Sequence, residues 1–136
     1  MRRRRSTVRA RSSDDVGYSD NNYRAVCRRV IDGDTIHVEV DLGLRVKRTL
    51  DVRLIGVNAP ELKGSSLDAG RAAKAYLERL LFDNGLPLPL VLKFEKGKSF
   101  DRWLARVYLE RTDTEGITLL DVQEALIKTG HAEEAK

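Results

Sequence analysis

The chain has 136 residues, 41% of them hydrophobic and 34% charged, enough to bury one core but with little room for a second domain. A single cysteine, Cys27, excludes an internal disulfide, and its strand-like surroundings suit a buried thiol. No apolar run approaches membrane-spanning length, and the basic N-terminus lacks the apolar stretch of a secretory signal. These features lead us to expect a cytoplasmic monomer without membrane contact, with organelle targeting left open by the arginine- and serine-rich start.

Charge is concentrated at that start. Arg2 to Arg5, Arg9 and Arg11 stand against Asp14 and Asp15, six minus two, which accounts for the whole formal net charge of +4. Residues 16–22 add Gly, Ser, Asp and Asn without apolar periodicity. The segment 1–22 therefore reads as a disordered, arginine-rich arm attracted to polyphosphate, or as a solvated tail, followed by one domain over 23–136.

Tyr23 to Asp32 and Thr35 to Asp41 read as two strands, the second with Ile36, Val38 and Val40 alternating against His37 and Glu39. Asp32-Gly33 between them is a strong turn dipeptide. In the third strand Leu50, Val52 and Leu54 share a face, which puts Arg53 on the other. Ser65 or Ser66 is placed to cap a helix whose buried stripe would be Ala69, Ala72, Ala73, Tyr76, Leu77, Leu80 and Leu81, ended by Asn84-Gly85. Leu88, Leu90, Leu92 and Phe94 alternate through a fourth strand, and a fifth follows from Trp103, with Trp103, Val107 and Leu109 as core residues. Leu119, Val122 and Leu126 mark a last helix stopped by Gly130. His37 and His131 lack ligand spacing and read as structural or exposed.

Two short segments carry chemistry. Asp32-Gly33-Asp34-Thr35 alone is more often a turn than a metal site, and Arg53 to Glu61, RLIGVNAPE, alone could be an ordinary strand exit and loop. Together and in this order they resemble the staphylococcal nuclease (thermonuclease-like) family, over roughly Tyr23 to the C-terminus. The resemblance implies an α+β, β-rich fold, a five-stranded OB barrel with two helices. It also implies a metal-dependent nuclease acting on DNA, with RNA left open.

Carried over by position, the family's metal-binding aspartate falls on Asp34, its catalytic arginine on Arg53 and its catalytic glutamate on Glu61. The second metal-binding aspartate falls on Asn58, a departure that removes a carboxylate, and the backbone-carbonyl ligand falls on Ala59. Hard oxygen donors of this kind imply Ca²⁺, with Mg²⁺ or another hard divalent cation as alternatives. The second arginine aligns with Arg102, which sets Asp101 where the family has glycine and Phe100 where it has tyrosine. A shifted register would select Arg106 instead. The competing reading is a catalytically weak or inactive nuclease-like module that binds nucleic acid, with Asn58 as the mark of a weakened metal site.

Overall fold

The computed structural model describes residues 22–95 and 103–135. Strand β1 (Asn22–Asp32) turns through Gly33 and Asp34 into β2 (Thr35–Asp41), and β3 (Lys47–Leu54) completes an antiparallel meander. The alternation read from β2 is realised: Ile36, Val38 and Val40 point inward with at most 1% exposure. A two-residue strand β4 (Val57–Asn58) leads to a 3-10 turn at Gly64–Ser66 and helix α1 (Leu67–Leu81). Short strands β5 (Phe82–Asp83) and β6 (Leu86–Pro87) follow, then β7 (Pro89–Phe94), β8 (Trp103–Asp113), β9 (Gly116–Asp121), helix α2 (Val122–Lys128) and β10 (Glu133–Glu134).

A closed five-stranded barrel results. β1 pairs with both β2 and β7, β7 with β8, and β8 returns to β3 in parallel through Val52↔Trp103 to Leu54↔Ala105. Two register irregularities bend β1, between Cys27 and Arg29 and between Val30 and Asp32, so that one long strand can serve two neighbours around the curve. Inside lie Cys27, Val30, Ile36, Val38, Val52, Leu54, Leu90, Leu92, Ala105, Val107 and Leu109. Helix α1 lays Ala73, Leu77 and Leu81, spaced four apart, against this core. Full burial of a leucine such as Leu77 contributes about 2 kcal/mol. Helix α2 closes another side with Val122 and Leu126.

Several local expectations are corrected. Leu119 lies in β9, which forms a hairpin with β8 through the Asp113–Gly116 turn; helix α2 starts only after Asp121, whose side chain accepts from Glu124 N at 3.0 Å. The three-then-four spacing of Leu119, Val122 and Leu126 imitates one helix face across a strand-to-helix junction. Asn84-Gly85 is the turn of the β5–β6 hairpin, with φ of 54° and 79°, so it follows the helix end without capping it. Ser66 occupies the N-cap position of α1 but makes no side-chain cap. Ala69 and Ala72 are exposed, while Gly70 is buried. Trp103 is 48% exposed at the barrel rim, although Val107 and Leu109 of the same strand are core. Cys27 is fully buried, and desolvation pushes its thiol up to about 11. Among the described residues no helix is long and apolar enough to cross a membrane. The arginine-rich arm, apart from Asn22 at the start of β1, lies outside the described residues.

Candidate nuclease site

The turn between β1 and β2 and the exit of β3 meet because the strands are in register: Thr35 pairs with Arg53 and Leu54 N donates to Asp34 O at 2.9 Å. Asp34, 25 residues before Ala59 in sequence, accepts the Ala59 amide on Oδ2 at 2.9 Å and the Thr35 hydroxyl on Oδ1 at 3.2 Å. Its own amide donates to Asp32 Oδ1 at 3.0 Å, the self-closing turn expected of an Asp-Gly-Asp sequence. Only 8% of Asp34 is exposed. Burial pushes its carboxyl above the ordinary aspartate range, and neighbouring Asp32 adds to the rise; the Ala59 amide and the Arg53 charge pull the other way.

Arg53 is held by backbone and side chain together. Its Nη1 donates to Leu54 O at 3.1 Å and Val57 O at 2.9 Å, its Nη2 donates to Asn58 Oδ1 at 2.6 Å, and Nη1 lies 3.5 Å from Asp34 Oδ2. A guanidinium fixed by three acceptors of its own loop keeps a defined orientation. The structure thus brings Asp34, Arg53, Asn58 and Ala59 together. Glu61 is exposed on the same loop, 3.6 Å from Lys63 Nζ. Arg102 lies outside the described residues. Arg106, the competitor of Arg102 for the second arginine, is engaged by Asp121 through Nε at 3.1 Å and Nη2 at 3.0 Å.

Gly70 escaped sequence reading, and Gly33 and Ser66, read as a turn glycine and a helix cap, have supporting contacts that it did not show. Gly70 is buried where α1 crosses the loop: a Cβ there would meet Glu61 O at 2.5 Å and Pro60 O at 3.1 Å. A glycine inside a helix costs about 1 kcal/mol relative to alanine, and that penalty was the available signal of a close approach. Gly33 has the same role in the turn, since a Cβ would lie 2.6 Å from Ala59 Cβ and 2.8 Å from Ala73 Cβ; space, not positive φ, demands glycine there. Ser66 Oγ lies 3.0 Å from the carbonyl oxygens of both Glu61 and Lys63, one proton shared between them, and so ties the helix start to the glutamate's backbone. From the other side β10 pairs with β4, Glu133 opposite Asn58, and Ala135 N donates to Gly56 O at 2.9 Å. The C-terminal segment therefore braces the loop.

The oxygens gathered here are one buried carboxylate, Asp34, and the neutral side-chain oxygen of Asn58, both in contact with Arg53. Among the described residues no three His, Cys, Asp or Glu side chains cluster in a metal-binding group; Asp32 is the carboxylate nearest Asp34, through its contact with the Asp34 amide. A buried carboxylate with a raised pKa still gains from a nearby cation.

Among curated proteins none matches the chain. The model of the staphylococcal nuclease homologue family matches residues 51–136, more than half of the sequence. That range contains Arg53, Asn58, Ala59 and Glu61, while the Asp32–Thr35 turn precedes it and joins it through the β2–β3 register. With its closed barrel, two helices and this match, the chain belongs to the staphylococcal nuclease homologue family.

Proposed function

We propose that the protein is a metal-dependent phosphodiesterase that cleaves DNA and, by the same chemistry, RNA. The observation that carries the reading is the meeting of the buried Asp34 carboxylate with the Ala59 amide and the Arg53 guanidinium, from segments distant in sequence. Asp34, the Asn58 amide oxygen and the Ala59 carbonyl would hold Ca²⁺, with Mg²⁺ as the smaller alternative. A cation held there would supply positive charge for the phosphate's developing negative charge. Glu61, exposed and on a braced loop, accepts a proton from the attacking water. The P–O bond on the far side of phosphorus breaks as the water oxygen bonds. Arg53 and Arg102 offer planar pairs of donors to the phosphoryl oxygens as negative charge grows there.

A second reading has its own observation. Asn58 gives its oxygen to Arg53 and brings no charge, so a weakly catalytic or inactive module that binds nucleic acid is the alternative. Single- and double-stranded DNA and RNA, incubated with Ca²⁺, Mg²⁺ or chelator, separate the two. The nuclease reading expects metal-dependent products and a loss of roughly a hundredfold or more for Glu61→Gln, with nucleic-acid binding retained. Arg53→Lys should be impaired to a similar degree, because a point charge cannot reproduce the fork. Binding without cleavage under every metal condition would establish the alternative.

A further inference from the structure

The hairpin tip joining β2 to β3 presents apolar side chains to water. Leu42 is 46% exposed, Val46 52% and Leu44 97%; with Trp103 they are four of the six exposed large hydrophobics among the described residues. The tip is nevertheless ordered. Leu42 N donates to Val46 O and Val46 N to Gly43 O, both at 2.8 Å, and Gly43 N donates to Asp41 Oδ1 at 2.8 Å. Gly43, Leu44 and Arg45 hold successive φ values of 88°, 54° and 66°. Glycine tolerates this region, but in leucine and arginine the Cβ crowds the following carbonyl. Leu44 is therefore both strained and solvated, two unfavourable features that suit a side chain whose partner is external.

Trp103 opens β8 opposite Val52, farther along β3 than the tip, and Arg48 links the two. Arg48, two residues beyond Val46, stands over its ring with Cζ 5.6 Å from the centroid, and Phe94 meets the ring edge-on at 6.0 Å. Arg45, Lys47 and Arg48 surround the tip, and none is paired with a carboxylate among the described residues. Within residues 41–48 the one acid is Asp41, which is engaged by the Gly43 amide.

This combination selects one kind of surface. Nucleic acid would use the cations and Trp103, but stacking and phosphate contacts leave three aliphatic side chains in water. A lipid interface accommodates all of them: aliphatic tips below the headgroups, tryptophan at headgroup level, cations on lipid phosphates. The direction of β3 is also suitable, since it runs from Lys47 at the tip to Arg53 at the candidate site, about 20 Å along the strand.

We propose that the β2–β3 hairpin tip docks the domain on an anionic lipid surface, with Leu42, Leu44 and Val46 inserting and Arg45, Lys47 and Arg48 meeting the headgroups. The proposal does not depend on the nuclease reading. Trp103 is the only tryptophan in the chain and reports on this rim without a label. The full chain would be mixed with phosphatidylcholine vesicles with and without phosphatidylglycerol. Binding to the anionic vesicles is expected, with a blue shift of Trp103 emission and quenching by brominated lipid. The triple variant Leu42→Ser, Leu44→Ser, Val46→Thr changes exposed positions only, so circular dichroism should be unchanged while vesicle affinity falls at least tenfold and quenching disappears. The N-terminal arginines could hold the chain by charge alone; binding without Trp103 quenching, or unchanged in the triple variant, would overturn the proposal. So would no vesicle binding, a tip-dependent dimer seen by light scattering without vesicle binding, or a Trp103 response to oligonucleotides in place of vesicles.

Discussion

Arg53 and Asn58 are joined by a 2.6 Å hydrogen bond from Nη2 to the side-chain oxygen, so the position that departs from the family's aspartate is engaged with the arginine of the same site. The amide orients the guanidinium but adds no negative charge. Asn58→Asp should keep that contact as an ion pair and add a charged donor for a hard cation. Calorimetry should therefore show tighter Ca²⁺ binding by the variant; equal or weaker binding by a folded Asn58→Asp protein would remove Asn58 from the ligand set.

Burial makes the Asp34 carboxyl sensitive to pH. Because burial raises its folded pKa above the unfolded value, the folded state favours the protonated form, and this group's contribution to stability is greatest below the unfolded pKa and declines as pH rises through the folded one. Burial thus disfavours the ionised carboxylate that a cation would need. Asp34→Asn should melt at the same temperature as wild type or higher near pH 7, yet lose Ca²⁺ binding. On acidification, wild-type Ca²⁺ affinity should begin to fall at a higher pH than for an ordinary aspartate. A strongly destabilised Asp34→Asn protein would contradict the desolvation argument.

Gly70 should act on the loop through contact alone. The added methyl of Gly70→Ala would meet the Glu61 backbone at 2.5 Å, and backbone cannot move aside as a flexible side-chain end can. Overpacking of this kind costs about 1–3 kcal/mol despite alanine's better helix propensity. Thermal unfolding and cleavage should both suffer, whereas Ala69→Gly, one residue earlier on the exposed face, should lose about 1 kcal/mol of stability and leave cleavage unchanged. Wild-type stability in Gly70→Ala would mean that helix and loop are not in contact.

Cys27 should be inert in the folded protein. Its thiol is buried and its pKa stands at about 11, so little thiolate is present at pH 8. Alkylation should follow global unfolding in a denaturant titration, with the same midpoint as circular dichroism. Rapid labelling without denaturant would show that β1 opens locally.

What the sequence determined by itself was the strand periodicity and the order of chemical groups. Ile36, Val38, Val40, Val52 and Leu54 alternate because a strand has two faces, and one of them is covered in the barrel. That rule also separated Arg53 from the core. Spacing failed at junctions: Leu119 shares a helical interval with Val122 although Asp121, capping α2, divides strand from helix, and Asn84-Gly85 has the same composition as a helix stop and a hairpin turn. Trp103 obeys strand parity yet is exposed, because parity gives a face and not whether the barrel rim covers it. Only the tertiary structure decided that Gly33 and Gly70 are sites of close approach, that Ser66 holds the Glu61 backbone, and that β10 braces β4. These contacts join residues far apart in the chain, and their energies depend on atomic separations that composition and periodicity do not contain.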